Sequence, residues 1–376
     1  MHTIRSLNLT CFLLLAMSLI LTVQAMPRLS PLETAIVDDL NGIAADPIPE
    51  SLVNNIHYVV SDEKAHHLFR PFIADRGGVF IGIGTNQNYS MAPFSKPEIL
   101  VLLDFDQMVI DTHRLYRVAF LNAKTPDEFL QLWAEPRRFK KMVKAEYSTD
   151  RRMLRGILNA FVYSRPLVVK TLTRQREIAE TENAPTFLND QTAYDYLVTL
   201  FKTNRVFLIR GDLRKKGAMI ALGKVLRRHD LKVGVYHPSN AEQYFPLSTQ
   251  YRANVLGLPT DEKTMVVRTR AWPTYQDLNA GQIQWLQKRF QDGKLKKHLF
   301  YCGKPRPQKC NFNKTPPAQA DTPQKKVINY TYATQSFENF KGWLADPKIR
   351  RARQMLPKAS RQFDNQHYAI EPRVAD

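Results

Sequence analysis

Two apolar runs joined by a glycine turn, in residues 77–106, constrain the fold of this chain more than any other feature. The first run ends in a Gly-x-Gly turn at Gly82 and Gly84, and the second run, ILVLL, ends on Asp104 and Asp106. Short apolar runs are typical of buried strands, and glycine lets a ligand or a neighbouring backbone come close. An acid at the tip of the second strand can accept hydrogen bonds from a ribose. The stretch predicts one side of a nucleotide-type crevice, although α/β folds without a nucleotide use the same pattern.

Helix and strand patterns alternate along the rest of the body, and this alternation indicates the fold class. The predicted helices are Asn55–Ile73, 107–121, about Thr149–Tyr163, 190–202 and 218–228. Three further strands are predicted at 205–209, 232–236 and 264–268. The helix that begins near Thr149 is expected to end before Pro166. Strands separated by helices imply crossover connections, so we predict an α/β fold with a mostly parallel sheet and helices on both faces.

Polar residues follow four of these strands at the point where each of the four ends. The carboxyl ends of parallel strands meet at one edge of the sheet, where open α/β folds bind ligands, so we expect these residues to line one crevice. Asn86, Gln87 and Asn88 satisfy no helix rule, and their amides can recognise a polar ligand through paired donors and acceptors. The further candidates for the crevice are Asp104, Asp106, Asp212, Ser239, Asn240 and Glu242.

Several of these candidates also suit a structural role. Asp104 is equally a cap for the helix that follows it, and Asp212 precedes a helix, where capping is the better interpretation. Ser239 and Glu242 have the spacing of a capping box, which favours a structural role for Glu242 over acid–base work. His113 lies among apolar helix positions and is predicted to be a packed histidine. The sequence contains no Gly-x-Ser-x-Gly elbow and no metal-ligand spacing, so we assign no catalytic residue and no metal.

The first 25 residues have the features of a secretory signal peptide. Arg5 precedes an apolar stretch from Leu7 to Val23, and a small-x-small type cleavage site ends at Ala25. An uncleaved anchor is the alternative, but the apolar stretch is short for a spanning helix. We therefore expect cleavage and export, to the periplasm or outside the cell. No later segment is long and apolar enough to span a membrane.

Two cysteines remain after cleavage, Cys302 and Cys310, in the loop YCGKPRPQKC. In an oxidising compartment the natural expectation is a disulfide between them. Two unpaired thiols are the alternative, because the sequence alone does not give the geometry of the pair.

Positive charge is concentrated toward the C-terminal end. The formal net charge of the chain is +19, and residues 288–376 hold 19 Lys and Arg against 7 Asp and Glu. This region also contains several prolines and lacks long apolar runs, so we interpret it as a partly ordered basic extension. Such an extension can bind nucleic acid, anionic headgroups or an acidic partner, or it can be a solvated tail.

The body of the chain contains, in order, the blocks GGVFIGIGTNQNY, ILVLLDFDQ, HRLYRVAF, RVFLIRGDL, VYHPSNAEQYF, YRANVLGLP and VVRT. Together they resemble a family of largely uncharacterised bacterial proteins whose fold is similar to class I S-adenosylmethionine-dependent methyltransferases. The resemblance covers roughly residues 50–272. It implies that Gly82 and Gly84 form the cofactor loop and that Asp104 or Asp106 binds the ribose of S-adenosylmethionine. It also implies that the Ser239-Asn240 pair lies beside the pocket.

We therefore interpret the chain as an exported, methyltransferase-like protein with a polar crevice for a small polar or nucleoside-type ligand. Its divisions are a signal peptide (1–25), a lead-in (26–50), a Rossmann-like α/β domain (51–275) and a basic, Pro-containing C-terminal extension (276–376). Enzymatic activity is left open. The alternative is a non-catalytic exported binding protein on the same fold, whose basic extension contacts anionic partners.

Overall fold

The apolar runs of the sequence become the central strands of one sheet. The structure is a computed structural model that describes residues 29–52, 55–275, 301–302, 308–309, 326–355, 360–362 and 367–370. The strands of the sheet are β1 (Val79–Ile83), β2 (Ile99–Asp104), β3 (Val206–Arg210), β4 (Val233–Ser239), β5 (Thr260–Tyr275), β8 (Lys326–Ser336), β9 (Ser360–Gln362) and β10 (His367–Ile370). A separate pair is formed by β6 (Tyr301–Cys302) and β7 (Gln308–Lys309).

Within the described residues the strands of the sheet lie in the order β3-β2-β1-β4-β5-β8-β10-β9. The first five pair with their neighbours in parallel, whereas β8 runs antiparallel to β5 and β9 runs antiparallel to β10. The predicted, mostly parallel α/β sheet is confirmed. Its first five strands have the order of a doubly wound, Rossmann-like sheet, in which the direction of winding reverses between β1 and β4.

Helices cover both faces of this sheet. Their bounds are α1 (Thr34–Asn41), α2 (Arg70–Ile73), α3 (Gln87–Ser95), α4 (Gln107–Asn122), α5 (Pro126–Ala134), α6 (Pro136–Glu146), α7 (Arg151–Thr181), α8 (Gln191–Lys202), α9 (Ala218–Arg228), α10 (Thr249–Leu256) and α11 (Phe337–Ala345). On one face α1, α9, α10 and α11 share a core with alternate residues of β1 and β2, such as Ile81 and Val101. On the other face α3 packs on β1, and α4 packs on β2 and β3. Helices α5 to α7 add an outer layer to this second face through α4.

Helix α7 is twice as long as the sequence predicts. It begins at Arg151, close to the expected start, but it continues through Pro166 to Thr181 instead of ending at Tyr163. The proline removes one backbone hydrogen bond, which usually ends a helix. Burial of Val168 and Leu172 beyond it offsets that cost, so tertiary packing overrides the local signal.

The segment 55–73 also differs from its prediction as a single helix. Residues 58–65 form no helix, a 3-10 turn follows at His66–Phe69, and only Arg70–Ile73 is helical. Tyr332 in β8 fixes the non-helical part, because its hydroxyl oxygen accepts hydrogen bonds from the backbone amides of Lys64 (2.9 Å) and Ala65 (2.7 Å). A partner far along the chain therefore determines the conformation of this segment.

The described part of residues 276–376 adds to the main sheet. Strand β8 pairs with β5 over its whole length, and Phe337, Phe340 and Leu344 of α11 join the core. The described residues from Pro31 onward belong to one compact unit, while the division at residue 275 stays a prediction. The predicted signal peptide and Cys310 lie outside the described residues. Among the helices that the structure describes, none combines the length and apolar character needed to cross a membrane.

Candidate functional site

A crevice of about 370 Å³ opens at the carboxyl ends of β1 to β4, where the winding of the sheet reverses. This is the position at which open α/β folds bind their ligands. The side chains on its wall include carboxylates, amides and aromatic rings. They come from the loops after these four strands, from the segment 58–63 and from β5 and β8.

The structure brings about half of the predicted site residues to this crevice. Those that line it are Gly84, Gln87, Asp104, Asp212, Ser239 and Asn240. Those that do not line it are Gly82, Asn86, Asn88, Asp106 and Glu242. Their ligand-binding roles stay predictions, and the contacts of each group show what these side chains already do in the protein.

Residues Thr85–Asn88, which we call the amide turn, hold the loop after β1 together. Asn88 is fully buried, and its Nδ2 donates to the carbonyl oxygens of Ile83 and Thr85, both at 3.2 Å. Its Oδ1 lies 2.8 Å from Nδ1 of the buried His237. Asn86, also fully buried, donates to Gln175 at 2.7 Å and accepts from the backbone amide of Ser61 at 2.9 Å. The amide groups therefore bond to the surrounding backbone and side chains, and of the three only Gln87 also lines the crevice.

The two glycines of the turn make room for these amides. A Cβ at Gly82 would overlap the side chain of Asn88, and a Cβ at Gly84 would reach the Gln87 amide at 2.5 Å. Gly84 also has φ +88, which favours glycine. Gln87 is the first residue of α3, and its amide closes onto the Thr85 nitrogen and the Ile83 carbonyl, each at 3.0 Å. Gln87 and Asn88 therefore lie in the first turn of α3, although they match no helix-start rule.

Asp104 and Asp106 have different surroundings although only one residue separates them. Asp104, at the tip of β2, faces the crevice, and burial raises its pKa to about 7. Its Oδ1 accepts from the backbone amide of Asp106 at 2.9 Å. Asp106 points away from the crevice: it caps α4 through the Met108 amide (2.9 Å) and pairs with His57 (2.7 Å). Asp106, and not Asp104, is thus the helix cap.

Asp212 lines the crevice beside a fixed cation. Both oxygens of its carboxylate pair with Arg214, through Nε at 2.9 Å and Nη2 at 2.7 Å. Burial raises the pKa of Asp212, but the Arg214 hydrogen bonds outweigh it and lower the pKa below its usual value. The expected cap of α9 is supplied by Asp46 instead, whose carboxylate accepts from the backbone amides of Ala218 (3.2 Å) and Asp212 (2.9 Å).

Ser239 ends β4 in a strained conformation that aims its hydroxyl at a buried carboxylate. Its φ is +52, in the left-handed region that non-glycine residues rarely adopt. The hydroxyl donates to Oε1 of Glu63 at 2.6 Å, and Thr269 of β5 donates to the same oxygen at 2.6 Å. Burial raises the pKa of Glu63. The hydrogen bond and charge of His66, the charge of His237 and the hydrogen bond from Ser239 outweigh this effect and lower the pKa to about 2. Glu63 is therefore a buried, ionised carboxylate at the crevice wall.

The capping box expected at Ser239 and Glu242 is not formed. Glu242 is buried away from the crevice, accepts from the Tyr251 hydroxyl, and lies 3.3 Å from Arg268 Nε. His113 is packed, as its apolar neighbours predict. Its Nε2 lies 2.8 Å from the Gly84 carbonyl, its Nδ1 lies 2.8 Å from the Tyr89 hydroxyl, and burial lowers its pKa to about 4.

Four carboxylates, Asp62, Glu63, Asp104 and Asp212, line the crevice, and we call them the acidic wall. Asp62 accepts from the Tyr330 hydroxyl of β8. The only cation among the lining residues of the described chain is Arg214, which Asp212 engages. The aromatic residues beside the acidic wall are Tyr58, Phe105, Tyr244, Phe245 and Tyr330. The crevice is thus acidic and aromatic in a chain that is strongly basic as a whole.

Sequence reasoning missed Asp62 and Glu63, which lie in a segment interpreted as a helix. No local pattern marks them, because their partners Ser239, Thr269 and Tyr330 are more than 170 residues away. Across the described residues no group of three or more His, Cys, Asp or Glu side chains is arranged to hold a metal ion. The chemistry available in the crevice is hydrogen bonding to carboxylates, attraction of positive charge and stacking on aromatic rings.

Comparison with known proteins gives a family but no activity. A family model described as "Domain of unknown function (DUF7790)" matches residues 58–299. The match includes the strand ends of β1 to β5 that build the crevice, and it ends before Tyr330. A search of the curated proteins finds no match.

Proposed function

The chain belongs to the DUF7790 family, and on that premise we propose that it is a methyltransferase-like protein whose crevice binds a nucleoside-type ligand. The observation that carries the proposal is the position of Asp104. Its carboxylate faces the crevice from the tip of β2, beside the point where the winding of the sheet reverses. Acids at this position accept hydrogen bonds from ribose hydroxyls in dinucleotide-binding folds.

The remainder of the crevice suits a nucleoside that carries positive charge. Phe105 and Tyr244 offer rings on which a base can stack. The acidic wall attracts cations, because Arg214 pairs only with Asp212 and leaves the other three carboxyl groups without a cationic partner among the described residues of the crevice lining. S-adenosylmethionine fits this description, since it combines an adenosine with a sulfonium and an ammonium group. When bound, it would supply an activated methyl group, while the carboxylates of this chain would orient its ribose and its charged chain.

Binding measurements with full-length protein test this proposal. Calorimetry would compare adenosine, S-adenosylmethionine and S-adenosylhomocysteine, with Asp104→Asn as the site variant and Asp106→Asn as the matched control. We expect Asp104→Asn to weaken binding by about tenfold or more, because it removes a charged acceptor from the crevice. Asp106→Asn should bind as the unmodified protein does, because Asp106 points away from the crevice. Absence of binding by any of these nucleosides at millimolar concentration would refute the proposal, and equal losses in both variants would refute the role of Asp104.

A non-catalytic binding protein is the second candidate, and the engaged state of the crevice residues favours it. Ser239 and Thr269 donate their hydroxyl protons to Glu63, and Asp212 is held by Arg214. In this alternative the crevice holds its ligand without reaction, and the basic extension contacts an anionic partner. Incubation with methyl-labelled S-adenosylmethionine and a cell extract separates the two candidates: labelled product supports the enzyme, whereas binding without any product supports the binding protein.

We also propose that the protein is exported to the periplasm or beyond the cell, with cleavage after residue 25 and a disulfide between Cys302 and Cys310. The amino-acid pattern of residues 1–25 supports export, and the oxidising compartment supports the disulfide. Mass spectrometry of the protein from its native host tests both points. A mature N-terminus near Met26 is expected, together with a mass two hydrogens below that of the dithiol. An intact Met1 in the membrane fraction would refute cleavage.

A further inference from the structure

A second cavity lies next to the crevice and has the opposite charge. It measures about 340 Å³, and its charged lining residues are Arg270, Arg351 and Arg353. Among the described residues its wall contains no Asp or Glu. We call it the arginine cavity. It shares Gln243, Tyr244 and Ala271 with the crevice, so the two spaces are separated by one thin wall.

The arginines reach this cavity from two elements that are fixed in place. Arg270 lies on β5, whose backbone at Ala271 donates to Gln243 at 3.0 Å. Arg351 and Arg353 lie on the loop after α11, where the buried Ala352 packs in the middle of the pair. The Gln354 side chain braces this loop by accepting from the Arg351 backbone amide (2.9 Å) and donating to the Lys348 carbonyl (3.0 Å).

The loop is also tied to the body of the protein. The backbone amide of Leu247 donates to the Arg350 carbonyl at 2.9 Å, and Arg252 donates to the Asp346 carbonyl at 3.2 Å. The 3-10 turn Ala241–Gln243 packs against the 3-10 turn Ala352–Gln354. The arginines are therefore held on a preorganised frame, which lowers the entropy that a bound group would otherwise cost.

Arg268, two residues before Arg270 on the same face of β5, shows how this protein neutralises a buried cation. It is 2% exposed, lies 3.3 Å from the carboxylate of Glu242, and stacks over the ring of Phe340. The described residues that line the arginine cavity include no Asp or Glu, so its arginines give its wall a positive charge. Burial and the nearby charge of Arg353 lower the pKa of Arg270 to about 10, as expected where like charges converge.

We propose that the arginine cavity binds a phosphate group. Arginine guanidinium groups bind phosphate through paired, charge-assisted hydrogen bonds, and converging arginines suit its high charge density. The shared wall places this group at the β5 side of the crevice, away from Asp104 on β2. The phosphate belongs either to the crevice ligand itself or to a second molecule that meets it there. The choice between these two sources rests on the proposed function, whereas the phosphate site does not.

The first experiment measures pyrophosphate binding to the full-length chain by calorimetry at low salt. The double variant Arg351→Gln/Arg353→Gln removes two charges from the cavity. The control Lys348→Gln/Arg350→Gln removes two exposed charges from the same loop, so both variants have the same net charge. We expect affinity to fall on the order of 100-fold in the first variant and less than about threefold in the control. No binding at millimolar pyrophosphate, or equal losses in both variants, would overturn the proposal.

Two further measurements test whether the guanidinium geometry matters and identify the molecule that carries the phosphate. Arg351→Lys/Arg353→Lys keeps the charge but loses the guanidinium geometry, so a correctly folded variant with intermediate affinity supports paired recognition. Adenosine and adenosine monophosphate are then compared. A monophosphate advantage that disappears in Arg351→Gln/Arg353→Gln assigns the phosphate to the crevice ligand, whereas simultaneous binding of adenosine and pyrophosphate assigns it to a second molecule. Pyrophosphate binding without any nucleoside binding would keep the phosphate site and refute the proposed function.

Discussion

The amide turn is buried, as are three of the four carboxylates of the acidic wall, but the two groups differ in the hydrogen-bonding capacity that they leave for a ligand. In the amide turn Asn86, Gln87 and Asn88 donate and accept at the same time, and their partners are neighbouring backbone and side-chain groups. The acidic wall consists of carboxyl groups, which can only accept hydrogen bonds when they are ionised. Carboxylates cannot satisfy one another, so each needs a donor from elsewhere. Glu63 has hydroxyls and Asp212 has Arg214, while Asp104 has backbone donors such as the Asp106 amide and keeps a face on the crevice.

This difference separates scaffold from binding surface. Amide groups that are already bonded to other parts of the protein fix the loop after β1 whether or not a ligand is present. A carboxylate that can accept a further hydrogen bond can instead bind a ligand through the hydroxyl or ammonium groups of that ligand. The amides Asn86, Gln87 and Asn88 thus stabilise the crevice, and the carboxyl groups of the acidic wall determine which ligand groups it can bind. Four predictions test this contrast.

Substitution of Gly82 by alanine should have the largest effect on stability. The added Cβ would overlap the fully buried Asn88 amide. We expect the free energy of unfolding in urea to fall by more than about 3 kcal/mol, because neither group has space to move. Gly342→Ala in α11 is the control: its Cβ would meet nothing within 4 Å, so stability should be unchanged or rise by up to about 1 kcal/mol. A Gly82→Ala protein as stable as the control would contradict the close packing of the amide turn.

Glu63→Gln should remove a specific part of the acid dependence of stability. The pKa of Glu63 is about 2 in the folded protein, below its ordinary value of 4.5. A carboxyl group with a lowered pKa stabilises the fold at pH values above its pKa in the unfolded chain. This stabilisation is lost as the pH falls from about 4.5 through about 2. The shift corresponds to about 3 kcal/mol, which urea unfolding between pH 2 and pH 6 would measure. The exposed Glu262→Gln serves as control and should retain the full dependence; an identical pH curve for Glu63→Gln would count against a lowered pKa.

Asn88→Leu and Asn240→Leu compare an asparagine of the amide turn with one at the rim of the crevice. Leucine has the branched shape of asparagine, but it is larger and cannot form hydrogen bonds. It therefore leaves the His237 Nδ1 without its Asn88 partner and removes one donor each from the Ile83 and Thr85 carbonyls. A loss of about 2 kcal/mol in the free energy of unfolding is expected from buried groups left unsatisfied. Asn240→Leu, at the partly exposed rim of the crevice, should cost less than about 0.5 kcal/mol. If the two substitutions cost the same, the amide turn has no special structural role.

Asp104 should make nucleoside binding dependent on pH. Burial raises its pKa to about 7, so the ionised fraction rises from roughly a tenth at pH 6 to nine tenths at pH 8. Calorimetry should find Kd up to about tenfold lower at pH 8, because ribose hydroxyls donate to the carboxylate. The same shift lowers folding stability as the pH rises from about 3.8 through about 7, since the unfolded chain releases the proton first. Asp104→Asn should lose both dependences while Asp106→Asn keeps them, and flat curves for the unmodified protein would contradict this assignment.

The central sheet was predictable because its signals are local. The runs that became β1 to β4 are apolar on both faces and end in polar or glycine residues, so each fixes a strand without reference to the others. The parallel arrangement followed from the helices between them. The positions of Asp104, Asp212 and Ser239 at strand ends followed in turn. Their roles did not, because a cap and a binding residue have the same sequence pattern.

The remainder of the site depends on contacts that no window of the sequence contains. Glu63 lies on the acidic wall only because β4 and β5 present hydroxyls to it, and Tyr332 keeps its segment out of a helix. The continuation of α7 past Pro166 likewise depends on a packing surface formed by other helices. Such contacts join distant parts of the chain, so periodicity and capping rules cannot register them.

The contact of Tyr332 with the amides of Lys64 and Ala65 also has a consequence for the order of folding during synthesis. The ribosome makes the early segment about 270 residues before the tyrosine that holds it, so a nascent chain has the central strands long before it has a finished crevice. Contacts of such wide separation close slowly. The ability to bind a ligand should therefore arise only after β8 has been released, which places the completion of the crevice late in synthesis.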